Sequence, residues 1–334
     1  MASPRYEREA VLHRHTRTVY AISVLPNGRT ISASQDGTLM VWDQTKGLVQ
    51  TLRGHSEEVN CVKLLPDGRV VSGGDDCKIC IWDLDVERRT RKGAVVRPVL
   101  TLVAHSDWIF CVAPLLDGCF VSGAIDCTLK VWRTSDGHCL RTFMGHEEEV
   151  TCAAILPDGR VASGSWDYTL RLWDPTNVDD ENYLLLEHES RVECVAVVDE
   201  SVVVSGCHDR LVYVWRVTID EAYRECKLTG HAGTVWAVTA LPGGYIASGS
   251  EDGTVKVWNW AAHKDDRCLQ TLSGHTGTVM SVAALPRGRI ASGGSGGRLL
   301  IWSDLLREDE KRMASDVARQ RACGDIAKII TTFL

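Results

Sequence analysis

The sequence predicts an all-β chain of seven repeated four-stranded units stacked into one ring-shaped domain, and three observations carry that expectation. First, a histidine recurs at His15, His55, His105, His146, His188, His231 and His275, and a tryptophan follows each by 27 residues, at Trp42, Trp82, Trp132, Trp173, Trp215, Trp258 and Trp302. Second, successive histidines lie 40 to 50 residues apart while the interior spacing never changes, so each unit is fixed and only the connections drift, as in a structural repeat. Third, the interiors are short runs rich in Val, Ile and Ala, separated by Gly, Pro and Asp. Such runs read as antiparallel strands joined by hairpins. Four short strands cannot bury a core alone, so neighbouring units supply the missing surface.

The copy from Gly230 to Asn259 shows the elements most clearly. Gly230-His231 opens it, Val235 to Leu241 forms the first strand, and Pro242-Gly243-Gly244 turns. Tyr245 to Ser250 forms the second, Glu251-Asp252-Gly253 turns again, and the third ends at Val257-Trp258. Equivalent first turns are Pro26-Asn27-Gly28, Pro66-Asp67-Gly68, Pro157-Asp158-Gly159 and Pro286-Arg287-Gly288. Proline presets φ and glycine tolerates positive φ. Leu116-Asp117-Gly118 and Asp199-Glu200-Ser201 carry weaker turn signals.

Residues 1 to 7 are expected to be loose. Glu9 to Leu12 align with the strand before each later histidine, since Leu12, like Leu52, Leu102, Phe143, Leu185, Leu228 and Leu272, stands three residues before its histidine. An insertion after Asp83 carries Arg88, Arg89, Arg91, Lys92 and Arg97. It is expected to be a solvated connection, with a nuclear-import or acidic-partner role as the alternative. After Trp302, Ser303 is placed to cap a helix from Asp304 to about Ala322, broken at Gly324. Ile326, Ile329, Ile330, Phe333 and Leu334 then share one helical face. That tail is expected to pack on its own domain, or else to contact a partner helix or dimer mate through Ile326, Ile329, Ile330 and Phe333. The expected domains are residues 8–303 and a helical extension at 304–334.

Between the anchors, Ser32, Ser72, Ser122, Ser163, Ser205, Ser248 and Ser292 stand 17 residues after each histidine. Asp36, Asp76, Asp126, Asp167, Asp209 and Asp252 stand 21 after, and the seventh unit has Gly296 there. With Gly-His near the start and Trp-Asp at Asp43, Asp83 and Asp174, these residues resemble the WD-repeat β-propeller family, including the propellers of F-box/WD-repeat proteins and G-protein β subunits. The resemblance implies a seven-bladed propeller whose N-terminal strand completes the last blade, which would remove an exposed sheet edge. It also implies a hydrogen-bonded Trp, Ser, His, Asp group in each blade: His55, Ser72, Asp76 and Trp82; His105, Ser122, Asp126 and Trp132; His146, Ser163, Asp167 and Trp173; His231, Ser248, Asp252 and Trp258.

Ser, His and Asp within reach of one another raise the question of acyl transfer. Six radially arranged copies suit a scaffold and not a catalyst, so no catalytic residue is expected. Neutral histidine both donates and accepts while aspartate only accepts, so the chain Trp to Ser to His to Asp satisfies each buried polar group. His275, lacking a carboxylate, is expected to leave blade seven the least stable.

The net charge of −7 argues against a broad basic surface for nucleic acid. No apolar run is long enough to cross a bilayer, and MASPRYEREA has no apolar signal core, so an intracellular, cytoplasmic or nuclear location is expected. Thirteen scattered cysteines do not suggest a secreted disulfide framework. Cys61, Cys111, Cys152 and Cys194 all stand six residues after a histidine and read as filling one small buried slot. Cys77-Lys-Ile-Cys80 is a single pair, too few for a four-ligand zinc site. No metal or cofactor is expected.

With the groups bracing the scaffold, binding falls to loops and strand ends. Alternation along the first strand puts the third and fifth residues after each histidine on one face. The resemblance implies that these, with the residue before the turn aspartate, line the top surface. The candidates are Tyr20, Glu58, Asp75, Trp108, Phe110, Glu149, Trp166, Arg191, His208, Trp236, Glu251 and Met280. Aromatics are the usual anchors of interfaces, and acids dominate the rest. The expected function is a non-catalytic scaffold that takes peptides or protein loops with basic and apolar side chains on this face. The alternatives are a ubiquitin-ligase substrate receptor acting through an adaptor, and a hydrolase with a site in the channel.

Overall fold

The computed structural model describes residues 5–84, 95–176, 183–219, 221–264 and 267–304. Its 28 strands form seven four-stranded antiparallel sheets. Six sheets are consecutive in the chain. Blade one, for example, runs Val19–Val24, Thr30–Ser34, Thr38–Asp43 and Gly47–Arg53, in that order from the axis outward. The seventh joins Val279–Ala284, Ile290–Gly294 and Arg298–Asp304 to the N-terminal strand Tyr6–His13. Register there runs from His13 opposite Arg298 to Tyr6 opposite Asp304, so the chain's first strand closes the ring on its last.

Two boundaries differ from expectation. Tyr6 and Glu7 are strand and not loose, because Asp304 and Ser303 lie opposite them; Tyr6 is buried and trades two 2.7 Å hydrogen bonds with the Gln270 side chain. Asp304, expected to open a helix, is instead the buried last residue of the strand Arg298–Asp304. The rest of the expected helical extension, with Ile326, Ile329, Ile330 and Phe333, lies outside the described residues, as do Arg88, Arg89, Arg91 and Lys92. The returning end of that insertion is described. Val96 is buried, and its carbonyl accepts from the Arg53 amide at 3.1 Å, so it lies along the outer strand of blade one.

Apolar side chains pack between blades and not inside any one of them. One cluster joins Val41 and Leu52 of blade one to Val62, Val70 and Trp82 of blade two, and six similar clusters continue around the ring. Each blade therefore depends on its neighbours for its core. The weak first turns hold by other means. Leu115 and Cys119 close the third unit's turn with Asp117 and Gly118 at positive φ, and in the fifth Val198 donates to the Val202 carbonyl while Asp199 accepts from the Ser201 amide.

Candidate functional site

The repeated polar groups form as hydrogen-bonded chains in five blades. Each Trp Nε1–H donates to its Ser Oγ at 2.7–3.0 Å in all seven blades, and each His Nε2 lies 2.6–2.8 Å from that same Oγ. Where the histidine is neutral, the Ser hydroxyl, with the Trp hydrogen on its Oγ, donates to Nε2, which places the imidazole proton on Nδ1; at His55 burial is outweighed by Asp76 and Cys80, which raise its pKa to about 9. In blades one, two, three, four and six that Nδ1–H donates to Asp36, Asp76, Asp126, Asp167 or Asp252 at 2.7–2.9 Å. Burial pushes these carboxyls up, but hydrogen bonds from the histidine, a neighbouring Thr or a backbone amide outweigh it. All five sit below the ordinary range, Asp36 and Asp252 at about 2.

Blade five departs from the expectation. Asp209 stands at the right spacing but accepts from the Tyr213 hydroxyl at 2.6 Å, and His188 Nδ1 instead faces the Leu186 carbonyl at 3.2 Å. Tyr213 is responsible. Its phenol reaches the carboxylate first, and its ring lies 4.8 Å from that of His188. In blade seven His275, opposite Gly296, keeps only the bond to Ser292 among the described residues. Burial pulls both imidazolium pKa values down to about 4, aided at His275 by Arg298.

The first strands of all seven blades surround an axial cavity of about 350 Å³. One backbone device shapes its mouth. In every blade the ladder between first and second strands skips the fifth residue after the histidine, so Val19 and Ala21, Val59 and Cys61, Ile109 and Cys111, and their counterparts are paired while the residue between is bulged out. A bulge re-aims its side chain, and all seven bulged residues, Tyr20, Asn60, Phe110, Thr151, Glu193, Trp236 and Met280, line the cavity. Strand alternation is therefore not what groups them. The third residues after the histidine precede the strand, and only Glu58 and Trp108 among them reach the lining.

Of the twelve candidates, the cavity brings together Tyr20, Glu58, Asp75, Trp108, Phe110, Trp166, Trp236 and Met280. Glu149, Arg191, His208 and Glu251 stay outside it. The Arg191 guanidinium lies 4.3 Å over the Trp166 ring, His208 Nδ1 sits 3.8 Å from Glu193, and Glu251 accepts from the Thr234 amide at 3.3 Å. Asn60, Thr151 and Glu193, fifth residues that the sequence mapping also assigns to this face, line the cavity with them.

Acids dominate the lining. Glu58 accepts from the Tyr20 hydroxyl at 3.0 Å, and Asp75 accepts from Asn60 at 2.7 Å. Burial raises the Asp75 carboxyl despite the Asn60 bond, and Glu58 and Glu57 add to the shift. Across the mouth Glu193 is buried and accepts from Trp166 Nε1 at 3.2 Å; burial raises its carboxyl too. Three partly desolvated carboxylates thus face a space walled by Trp108, Phe110, Trp166 and Trp236. No group of three or more possible metal ligands occurs among the described residues.

A family model described as "WD domain, G-beta repeat" matches residues 6–43, 46–83, 96–133, 137–174, 181–216, 224–259 and 266–303. The chain is similar in fold to the structure titled "Crystal structure of WD40 beta propeller domain of Doa1", with a TM-score of 0.77 and 23% identity over 90% of this chain and 97% of that one. No curated protein matches it significantly in sequence. Among the described residues no helix is long and apolar enough to cross a membrane. Seven family matches laid over seven closed blades show that the chain belongs to the WD40 repeat family, whose propellers serve as protein-interaction scaffolds and not as catalysts.

Proposed function

We propose that the mouth of the axial cavity, on the side of the aspartate turns, binds a peptide or protein loop that inserts one basic side chain between apolar neighbours. The carrying observation is the convergence of Glu58, Asp75 and Glu193 on a space walled by aromatic rings. A cation there gains from the carboxylates and from ring faces, each ring contributing about 0.5 to 2 kcal/mol as it is desolvated. It also offsets the burial and the neighbouring Glu58 and Glu57 charges that raise the Asp75 carboxyl. The ring of Trp108, 45% exposed, gives apolar flanking residues an anchor. A cavity of about 350 Å³ suits one long side chain and not a folded domain. The reading as an adaptor-dependent ubiquitin-ligase receptor rests on family likeness, and no contact in the ring favours it over other peptide recognition.

The test is fluorescence anisotropy with short peptides of the form apolar-Lys-apolar and apolar-Arg-apolar, against the same peptides with Glu or norleucine at the centre. Basic peptides should bind and weaken with salt, and a Trp108→Ala/Trp166→Ala double variant should bind at least tenfold more weakly. Equal binding of the norleucine peptides, or no change in the double variant, would refute the reading.

A further inference from the structure

Blade seven keeps the donors of its bracing group but supplies no acceptor for them. In blades one, three, four and six one carboxylate oxygen, Oδ2 of Asp36, Asp126, Asp167 or Asp252, lies 2.7–2.9 Å from the histidine Nδ1 and 2.9–3.2 Å from the amide of the next residue. In blade three the Ser106 hydroxyl reaches the same oxygen at 3.4 Å. The corresponding donors in blade seven are His275 Nδ1, the Thr276 amide and the Thr276 hydroxyl. Their loop is held as elsewhere in the ring. His275 Nε2 lies 2.8 Å from Ser292 Oγ, and the Ser295 amide donates to the Thr278 carbonyl at 2.9 Å, as Gln35 does to Thr18 and Glu251 to Thr234. Gly296 stands at the aspartate position, and a Cβ there would meet no atom beyond its chain neighbours nearer than Thr276 Oγ1 at 3.9 Å. None of the three donors has an acceptor among the described residues.

The surroundings are cationic. Burial first and Arg298 second hold the His275 imidazole neutral, and no carboxylate among the described residues opposes them. With the Ser292 hydroxyl donating to Nε2, the hydrogen sits on Nδ1. The turn also abuts the start of blade one. His13 Nε2 lies 3.1 Å from the Gly296 carbonyl, and a Cβ on Gly297 would meet the carbonyls of His15 and Arg17. Arg14, Arg17 and Arg298 are exposed there and form no ion pair among the described residues.

We infer that the turn of blade seven is a binding site for an acidic peptide segment of a partner, whose Asp or Glu carboxylate takes the part that Asp36 or Asp252 plays within its own blade. The ligand class follows from the ring itself, since five blades hold a carboxylate on the same donor pair. The three arginines favour further acids beside the first, which a peptide carries and a free monocarboxylate does not. Thr276 and Gly296 are exposed, so a partner's side chain can reach the donors. The site is separate from the mouth, because His275, Thr276 and Gly296 do not line the axial cavity.

The experiment titrates the full chain, with its histidines isotopically labelled, with the acetylated and amidated peptide Gly-Asp-Glu-Gly, its Asn-Gln counterpart, acetate and inorganic phosphate. Binding is read from the His275 imidazole resonances by NMR and from hydrogen exchange of Val279–Ala284. The acidic peptide should shift the His275 signals saturably, leave those of His15 and His231 in place, and at saturation slow exchange of that strand about tenfold. The Asn-Gln peptide should do neither. Gly296→Asp should abolish peptide binding and slow the same exchange without peptide. The resulting Asp-Gly pair matches Asp36-Gly37 and Asp252-Gly253, whose aspartates keep ordinary φ. Arg298→Gln, at an exposed side chain, should weaken the peptide severalfold, and Trp108→Ala/Trp166→Ala should leave its binding intact, which separates this site from the mouth. Acetate acting as strongly as the peptide would keep the carboxylate site and assign it to small free acids. Equal binding of the Asn-Gln peptide, tighter binding of phosphate, peptide binding that survives Gly296→Asp, or His275 signals indifferent to both acids would overturn the inference. The signals are read on the unmodified chain, so the test does not depend on a variant folding.

Discussion

Acidification should open blade seven before the rest of the ring, and the margin follows from His275. Above pH 6.5 its imidazole is neutral folded or unfolded, so it contributes no pH dependence. As the pH falls from 6.5 towards 4, the unfolded histidine takes up a proton that the folded one, held at about 4 by burial and Arg298, refuses. Stability is therefore lost across that window and levels off below it. At pH 5 the difference amounts to about 30-fold in the opening equilibrium, or about 2 kcal/mol. The bracing carboxyls act later, since Asp36 and Asp252, at about 2 against an ordinary 3.8, hold their contribution until the pH falls below about 4. His146 and His231 are also pulled down by burial, but Asp167 and Asp252 oppose the shift, which places their blades between the extremes. His188 shares the value of about 4, yet its blade keeps the bond between Tyr213 and Asp209, so blade five should follow blade seven. Hydrogen exchange by mass spectrometry at pH 7 and pH 5, corrected for intrinsic rates, measures this directly. Protection of Val279–Ala284 and Arg298–Asp304 equal to that of blades two to four at both pH values would refute the reasoning. So would an unchanged loss at pH 5 in a His275→Gln chain.

Other outcomes are expected. Tyr213→Phe removes the 2.6 Å hydrogen bond to a carboxylate and should cost about 1.5 to 3 kcal/mol in urea unfolding. An unchanged midpoint would mean that His188 turns to Asp209 and restores the usual chain. Ser281→Ala deletes a buried hydroxyl that has no partner among the described residues, at a position where blades one and six already have alanine, and should raise stability by about 1 kcal/mol; a lower melting temperature would contradict this. Glu193→Gln keeps an acceptor for Trp166 Nε1 while removing one charge from the mouth, so basic-peptide binding should weaken severalfold without a change in melting temperature.

The ring and its bracing were legible because they are written as fixed intervals. A constant 27 residues from His to Trp survives every change in connection length, and it places each strand before any coordinate is seen. Leu12 marked the strand ahead of the first histidine, and the family resemblance implied that it closes the ring. What intervals cannot encode is competition. Asp209 has the correct spacing, and only the meeting of the Tyr213 hydroxyl with its carboxylate shows that His188 loses it. The mouth was half legible for a related reason. Alternation assumes an unbroken ladder, whereas the recurrent bulge turns all seven fifth residues inward and leaves Arg191 and Glu149 outside the lining.

The pairing of Tyr6–His13 with Arg298–Asp304 also has a consequence for biosynthesis. A ribosome delivers the former nearly three hundred residues ahead of the latter, so the earlier strand must wait, unmated, while the six intervening blades are made. During that interval a second nascent or refolding chain presents the same mate in the same register. Concentrated refolding should therefore yield strand-exchanged dimers, and dilution should favour monomers latched by their own beginning.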